Sequence, residues 1–167
     1  PQTYLLGLVG LLAIAAVVVG RQLLRVRRDE SRLQQLEQSG TAKSRHAADL
    51  YELGSVQLRK RLYPQATATL KQALKRLGDE PDEARAVIEN ALGFALAAQK
   101  NYEEASKHYK LALKAKPNYP VALNNLGYAQ DKLLKTEEAL TLYRRTLEIE
   151  PENQTAKRAV KKLEKRV

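Results

Sequence analysis

Two stretches of this chain repeat one another without a gap. Ala91-Leu-Gly-Phe-Ala95, Tyr102-Glu-Glu-Ala105, Tyr109-Lys-Leu-Ala-Leu113 and Lys116-Pro117 recur as Asn125-Leu-Gly-Tyr-Ala129, Thr136-Glu-Glu-Ala139, Tyr143-Arg-Arg-Thr-Leu147 and Glu150-Pro151. Gly93 and Gly127, Ala105 and Ala139, Tyr109 and Tyr143, and Pro117 and Pro151 each stand 34 residues apart. A unit of that length cannot bury its own apolar face. It must stack on a neighbour, so the chain is confined to a quasi-one-dimensional array rather than a single closed core.

A looser copy lies upstream. Leu53-Gly54-Ser55, Tyr63-Pro-Gln-Ala66, Leu70 and Ala73 fit the same template, but Gly54 to Gly93 is 39 residues, which puts five extra residues in Lys75–Glu83. The period and the residue types resemble the tetratricopeptide-repeat (TPR) pattern, a helix–turn–helix unit. Three repeats are expected, at about residues 47–83, 86–119 and 120–153, with a basic capping helix over 154–167. Gly54, Gly93 and Gly127 let the two helices of a repeat approach closely, and Ala66, Ala105 and Ala139 serve the same contact from the second helix. Leu53, Leu92 and Leu126 fill the core within each repeat. Pro81, Pro117 and Pro151 separate the repeats, because proline ends the preceding helix. Three repeats and a cap are near the minimum for stability, so Gly93→Pro is expected to unfold the whole array, a change measurable in a thermal melt.

Residues 1–20 carry no charged side chain. Twenty helical residues span about 30 Å, the thickness of a bilayer's hydrocarbon core. Arg21, Arg25, Arg27 and Arg28 follow at once, with Arg32 one turn on. A secretory signal places its basic residues before the apolar run, and here they come after it. The reading is therefore a retained transmembrane helix, with Tyr4 at one interface and the arginines meeting anionic headgroups, or alternatively a partner's acidic surface, at the other. Basic flanks mark the cytoplasmic side, so the repeats are expected there and the N-terminus across the membrane. Gly7, Gly10, Ala13, Ala16 and Gly20 permit close helix packing in the membrane, although small residues are common in spans anyway. Residues 21–45 read as a basic stalk helix and linker, ending near Ser39-Gly40-Thr41. Methionine is absent altogether, which points to a processed or trimmed N-terminus.

The net charge of +10 is unevenly placed. Residues 21–45 hold seven Lys/Arg and three Asp/Glu, residues 46–155 sixteen and fifteen, and residues 156–167 six and one. A nucleic-acid binder more often spreads its basic residues over one face of the folded domain, so no nucleic-acid partner is expected. The cap's cations suit a helix C-terminus as a solvated face, or form a docking patch for an acidic partner or a membrane.

No catalytic constellation is legible, and the chain is not expected to be an enzyme or to bind a small-molecule substrate. Cysteine is absent, His46 and His108 are the only histidines, and no metal-ligand spacing, phosphate loop or nucleophile elbow occurs. No cofactor is expected. Glu103-Glu104 and Glu137-Glu138 recur at one repeat position and mark helix N-termini, where negative charge is favourable; Asn101 with Glu104 resembles a capping box.

Binding is the remaining class. The first helix of each TPR lines the concave groove, which places Tyr51, Ser55 and Leu58, then Asn90, Phe94 and Ala97, then Asn124, Tyr128 and Asp131 along it. Asn followed by an aromatic four residues on, in repeats two and three, suits an extended peptide: the amide meets backbone and the ring offers apolar contact. The same aromatics could equally pack between repeats. Chaperone-binding TPRs resemble one another in a basic carboxylate clamp. The matching positions here, Tyr51, Ser55, Ala91, Val121 and Asn125, do not supply it, which argues against an acidic chaperone tail.

The order of segments carries a more specific likeness. Arg27-Arg-Asp-Glu-Ser-Arg-Leu-Gln-Gln-Leu36, Tyr51-Glu-Leu-Gly-Ser55, Ala122-Leu-Asn-Asn-Leu-Gly-Tyr-Ala129 and Thr155-Ala-Lys-Arg158, behind a short span, resemble the membrane-anchored TPR proteins of cyanobacteria and chloroplasts that assist photosystem I assembly, the "hypothetical chloroplast reading frame thirty-seven" or "pale yellow green" family. The resemblance covers nearly the whole chain. It implies an all-α protein in the thylakoid membrane, crossing once, N-terminus lumenal, repeats in the stroma or cytoplasm. It also implies photosystem I subunits or fellow assembly factors as partners. The alternatives are a TPR targeting receptor that captures soluble clients at another membrane and a self-associating structural scaffold.

Overall fold

The computed structural model describes residues 2–38, 46–78 and 81–166, with side chains from residue 9 to 35 in the first of these stretches. The Ser39-Gly40-Thr41 terminator, the Tyr4 anchor and the Gly7 contact lie outside the described backbone or side chains. Every described element is a helix: α1 (Gln2–Gln38), α2 (Ala47–Arg59), α3 (Tyr63–Arg76), α4 (Asp82–Ala98), α5 (Tyr102–Ala115), α6 (Pro120–Lys132), α7 (Thr136–Ile149) and α8 (Gln154–Leu163). Two compact units make up the chain, one built on α1 and the other on α2–α8.

α1 is a single unbroken helix of 37 residues. Its apolar stretch runs past Gly20 and Arg21, and Val9–Gln35 is long and apolar enough to cross a membrane. Leu11, Leu12, Ile14 and Val18 are each more than half exposed. Such a surface is unfavourable in water at roughly 25 cal/mol per Å². Arg21, Arg25, Arg27 and Arg28 stand exposed beyond the apolar stretch, and Arg32 donates to Gln35 Oε1 at 3.1 Å.

The second unit is a succession of helix pairs, α2–α3, α4–α5 and α6–α7, closed by α8. Each helix packs on its chain neighbours, and α4 also packs on α2 and α6, the first helices of the flanking repeats. One core cluster runs through all three repeats, with Leu50, Leu70, Ile88, Leu92 and Tyr109 almost fully buried. A second joins α7 to α8 through Leu140, Tyr143, Ala156 and Leu163. The capping helix thus covers the face that a fourth repeat would otherwise cover.

Close approach within each pair depends on the glycine. A Cβ on Gly54 would lie 2.7 Å from Leu70 Cδ2, on Gly93 2.6 Å from Tyr109 Cε1, and on Gly127 3.0 Å from Tyr143 Cζ. Ala66, Ala105 and Ala139 show no exposure at all. The turn inside each repeat is a left-handed closure made without glycine. Arg61, Lys100 and Leu134 have φ of 60°, 64° and 62°. Behind each, the next amide reaches back to the helix: Leu62 N to Gln57 O at 2.8 Å, Asn101 N to Leu96 O at 3.0 Å and Lys135 N to Gln130 O at 2.9 Å. This is the Schellman pattern, which satisfies the helix's last carbonyls. Asn101 Oδ1 accepts from Glu104 N at 3.4 Å, so the forward half of the expected capping box is present at α5.

Candidate functional site

The first helices α2, α4 and α6 carry the nine expected groove positions, and the structure treats them in three groups. Phe94, Ala97, Asn124 and Tyr128 come together around one cavity of about 330 Å³ between repeats two and three. Phe94 and Tyr128 are each 45% exposed, so both rings present apolar surface to solvent at the cavity. Tyr51 belongs elsewhere: it lines a smaller cavity of about 130 Å³ between repeats one and two, with Leu77, Val87 and Ile88. Ser55, Leu58, Asn90 and Asp131 line neither cavity.

The floor of the larger cavity was not named from sequence. It is made by Tyr109 and Tyr143, whose rings pass over Gly93 and Gly127, with Ala98, Asn125 and Thr155 at the sides. A signal for it exists, because each glycine precedes its ring by the same 16 residues. Burial pushes the Tyr109 hydroxyl well above the ordinary tyrosine range, and pushes Tyr143 up to about 12, with Asp131 adding to the latter. Both phenols are therefore neutral donors at physiological pH. Tyr128 is braced edge-on by Tyr102, ring centres 6.1 Å apart at 73°, and Lys132 Nζ lies 5.4 Å from its ring centre. Partial burial, then the Tyr102 hydroxyl, raises its own pKa.

The amides have internal partners. Asn125 Nδ2 donates to Asn90 Oδ1 at 2.9 Å, tying α6 to α4. Asn124 Nδ2 donates to Asn153 Oδ1 at 3.1 Å, the same oxygen that accepts from Ala156 N at the start of α8. Asn124 Oδ1 is buried and has no donor. Asp131, expected as an open groove position, pairs with Arg166 at 2.9 Å, with Lys162 at 3.9 Å. The chain's own C-terminal segment thus neutralises the acid end of the groove.

One further polar pair lies inside repeat two. His108 Nδ1 is 2.7 Å from Glu89 Oε2, with the side chains 14% and 6% exposed, and Glu104 Oε1 is 3.9 Å from the other ring nitrogen. Glu89 and His108 sit on the packed helices α4 and α5, and Glu104 stays beyond hydrogen-bond distance of the ring. No group of three His, Cys, Asp or Glu capable of holding a metal occurs among the described residues. The cavity offers rings, phenol hydroxyls and amides, which suits recognition of an apolar side chain and its backbone rather than bond-making chemistry.

Comparison with known proteins gives a family and a fold. Residues 84–152 match the tetratricopeptide repeat family. The chain is 33% identical over 156 residues to the Arabidopsis thaliana "Tetratricopeptide repeat domain-containing protein PYG7, chloroplastic", covering 93% of this chain and 51% of that one. It therefore spans about half the length of that relative. Over 117 residues it is 36% identical to protein ycf37 of Cyanophora paradoxa, covering 70% of this chain and 67% of the relative, and it is 29% identical to ycf37 of Guillardia theta across 93% and 88%. Among solved structures, the first TPR of Spaghetti (RPAP3) bound to the HSP90 peptide SRMEEVD superposes with TM-score 0.66 at 26% identity, covering 71% of this chain and 90% of that one. A MamA protein from RS-1 superposes with TM-score 0.75 at 19% identity over 89% and 80%, which is a likeness of fold alone.

Proposed function

This chain belongs to the ycf37 family of tetratricopeptide-repeat proteins, and on that premise we propose that it is a non-catalytic, membrane-tethered scaffold for photosystem I assembly. The observation that carries the reading is the alignment with a chloroplast TPR protein across 93% of this chain, apolar helix and repeats together. A TPR scaffold binds proteins. Joined to a membrane helix, it holds its clients at one surface and raises their local concentration, so weak groove contacts suffice. The thylakoid is the proposed membrane, crossed once by α1 with the N-terminus lumenal and the repeats stromal or cytoplasmic. The arginines after the span support that orientation.

The proposed docking surface is the groove at repeats two and three, where Phe94 and Tyr128 flank an open cavity. Its ligand is an extended segment with a large apolar side chain, drawn from a photosystem I subunit or a fellow assembly factor. The acidic peptide bound by Spaghetti is a poor fit, because the clamp positions carry Tyr51, Ser55, Ala91, Val121 and Asn125 instead of cations.

Affinity capture of the protein from solubilised thylakoids tests the reading. Photosystem I subunits or assembly factors should co-purify, and Phe94→Ala with Tyr128→Ala should reduce their recovery at least tenfold while leaving the helical signal intact. Recovery of no such protein would refute the assembly role. Unchanged recovery in the double variant would move the docking surface away from the groove.

A further inference from the structure

α8 has two unlike sides. Ala156 and Leu163 are buried and Ala159 and Val160 half-buried against α7. Six cations occupy the rest of the helix and its C-terminal turn, and their partners divide them. Lys157 reaches Glu152 at 2.9 Å, and Arg166 and Lys162 meet Asp131. Glu164, the one acid after residue 155, is taken by Arg144 at 2.8 Å. Arg158, Lys161 and Lys165 are exposed, and no described carboxylate lies within ion-pair distance of them. Arg158 and Lys161 stand at i and i+3 on one side of α8, and Lys165 follows in the turn just after it.

This group is unlike the rest of the array, where sixteen Lys/Arg face fifteen Asp/Glu over residues 46–155. Interaction with the helix C-terminus accounts for cations in the last turn. It does not account for Arg158, which lies in the second turn of α8. The three cations are exposed, whereas the packed side of α8 is formed by Ala156, Ala159, Val160 and Leu163.

We propose that Arg158, Lys161 and Lys165 form a docking surface for anionic lipid headgroups, by which the capping helix holds the repeat array against a bilayer. Charge complementarity selects a negatively charged, extended surface, because the three exposed cations follow one another along the solvent side of α8 and the turn after it. The membrane is favoured over an acidic protein because α1 brings one within reach of the array, at high effective concentration. In that respect the inference rests on the tether proposed above. Each Lys or Arg near an anionic leaflet favours the bound state roughly fivefold, so the three together shift docking on the order of 100-fold.

The chain has no cysteine, so a single probe site can be introduced. Gln154→Cys, one turn before Arg158, carries a polarity-sensitive dye on the full-length chain mixed with vesicles of phosphatidylcholine, with or without phosphatidylglycerol. The dye is expected to report lipid contact only on the anionic vesicles. Adding salt to shorten the screening length should abolish the signal, and the triple variant Arg158→Gln, Lys161→Gln, Lys165→Gln should lower the docked-to-free ratio on the order of 100-fold. All three side chains are exposed, so circular dichroism should show unchanged helix content in the variant. Equal signals on neutral vesicles, or a full signal from the triple variant, overturn the proposal. A response to soluble polyglutamate with none to anionic vesicles also overturns it and assigns the three cations to an acidic protein. Resistance to alkaline carbonate reads insertion of α1 separately. A chain that washes out refutes the tether, while the dye still reports whether the cap touches lipid.

Discussion

In repeats two and three the second helix lays a tyrosine ring, Tyr109 or Tyr143, across the glycine of the first, whereas in repeat one the same place holds Leu70. The rings are long enough to reach the inner surface and become the floor of the cavity flanked by Phe94 and Tyr128. Leu70 is fully buried and ends inside the pair. Repeat one therefore contributes packing but no matching cavity floor, and its Tyr51 opens instead onto the irregular junction with repeat two. A second contrast runs through the corresponding positions of the core. Repeats one and three bury Leu50 and Leu123 where repeat two buries Glu89, paired with His108. One template thus tolerates either a leucine or a ring at the glycine, and either an apolar or a polar contact beside it, provided each unit satisfies itself.

The glycine contrast can be broken most severely at repeat two. Gly93→Ala forces a Cβ to 2.6 Å from the buried Tyr109 ring, and overpacking of that kind costs about 1–3 kcal/mol. Gly127→Ala, at 3.0 Å, is expected to cost less, and Gly54→Ala less than Gly93→Ala because the Leu70 side chain can change rotamer. Chemical denaturation of the three variants checks the ranking; equal losses at Gly54 and Gly93 would remove the distinction between leucine and ring.

The buried polar pair gives the next largest effect. Glu89→Leu leaves the His108 ring nitrogen without its partner, at a cost of about 1–3 kcal/mol. The double change Glu89→Leu with His108→Leu mimics repeat three, where Leu123 and Leu142 occupy these places, and should recover most of that loss. A double-mutant cycle by denaturant titration measures it.

The ring-bearing repeats should also carry an alkaline sensitivity that repeat one lacks. Tyr143 is pushed from the ordinary 10.0 up to about 12, chiefly by burial. Folding favours the neutral phenol, so its contribution is fully present below pH 10.0 and is lost as pH rises toward about 12. Tyr143→Phe should flatten the fall in melting temperature across that window, and Leu70→Val, in repeat one, should not. The smallest effect belongs to the turns. Leu134 holds φ 62° and is 89% exposed. Leu134→Gly relieves left-handed strain of about 1–2 kcal/mol and loses part of that to unfolded-chain entropy, leaving a net gain below about 1 kcal/mol in thermal denaturation.

Much of this was legible in the chain because it is local and periodic. The all-helical class, the helix pairs, the close contacts at Gly54, Gly93 and Gly127, and the apolar leading helix each follow from a spacing or a run of residue types. The left-handed turns were not legible, because Arg61, Lys100 and Leu134 are not residues that announce positive φ. The groove was only half legible. Phe94, Ala97, Asn124 and Tyr128 of the first helices line one cavity and Tyr51 another, but the floor comes from the second helix, and the cavity closes only where two repeats meet.

By itself, then, the order of residues determined what each unit must be: a pair of helices with one apolar face too large to leave exposed, preceded by a segment that water does not suit. That follows from helical period, glycine placement and the absence of charge, all of which act over a few residues. Only the tertiary structure decided which polar groups remain available. Asn90 and Asn124 are drawn into bonds with Asn125 and Asn153, Asp131 is met by Arg166 from 35 residues away, and Arg158, Lys161 and Lys165 meet no carboxylate among the described residues. The physical reason is that pairing depends on the rotation of one repeat against the next. That rotation is set by the summed packing of the stack and is written in no single repeat.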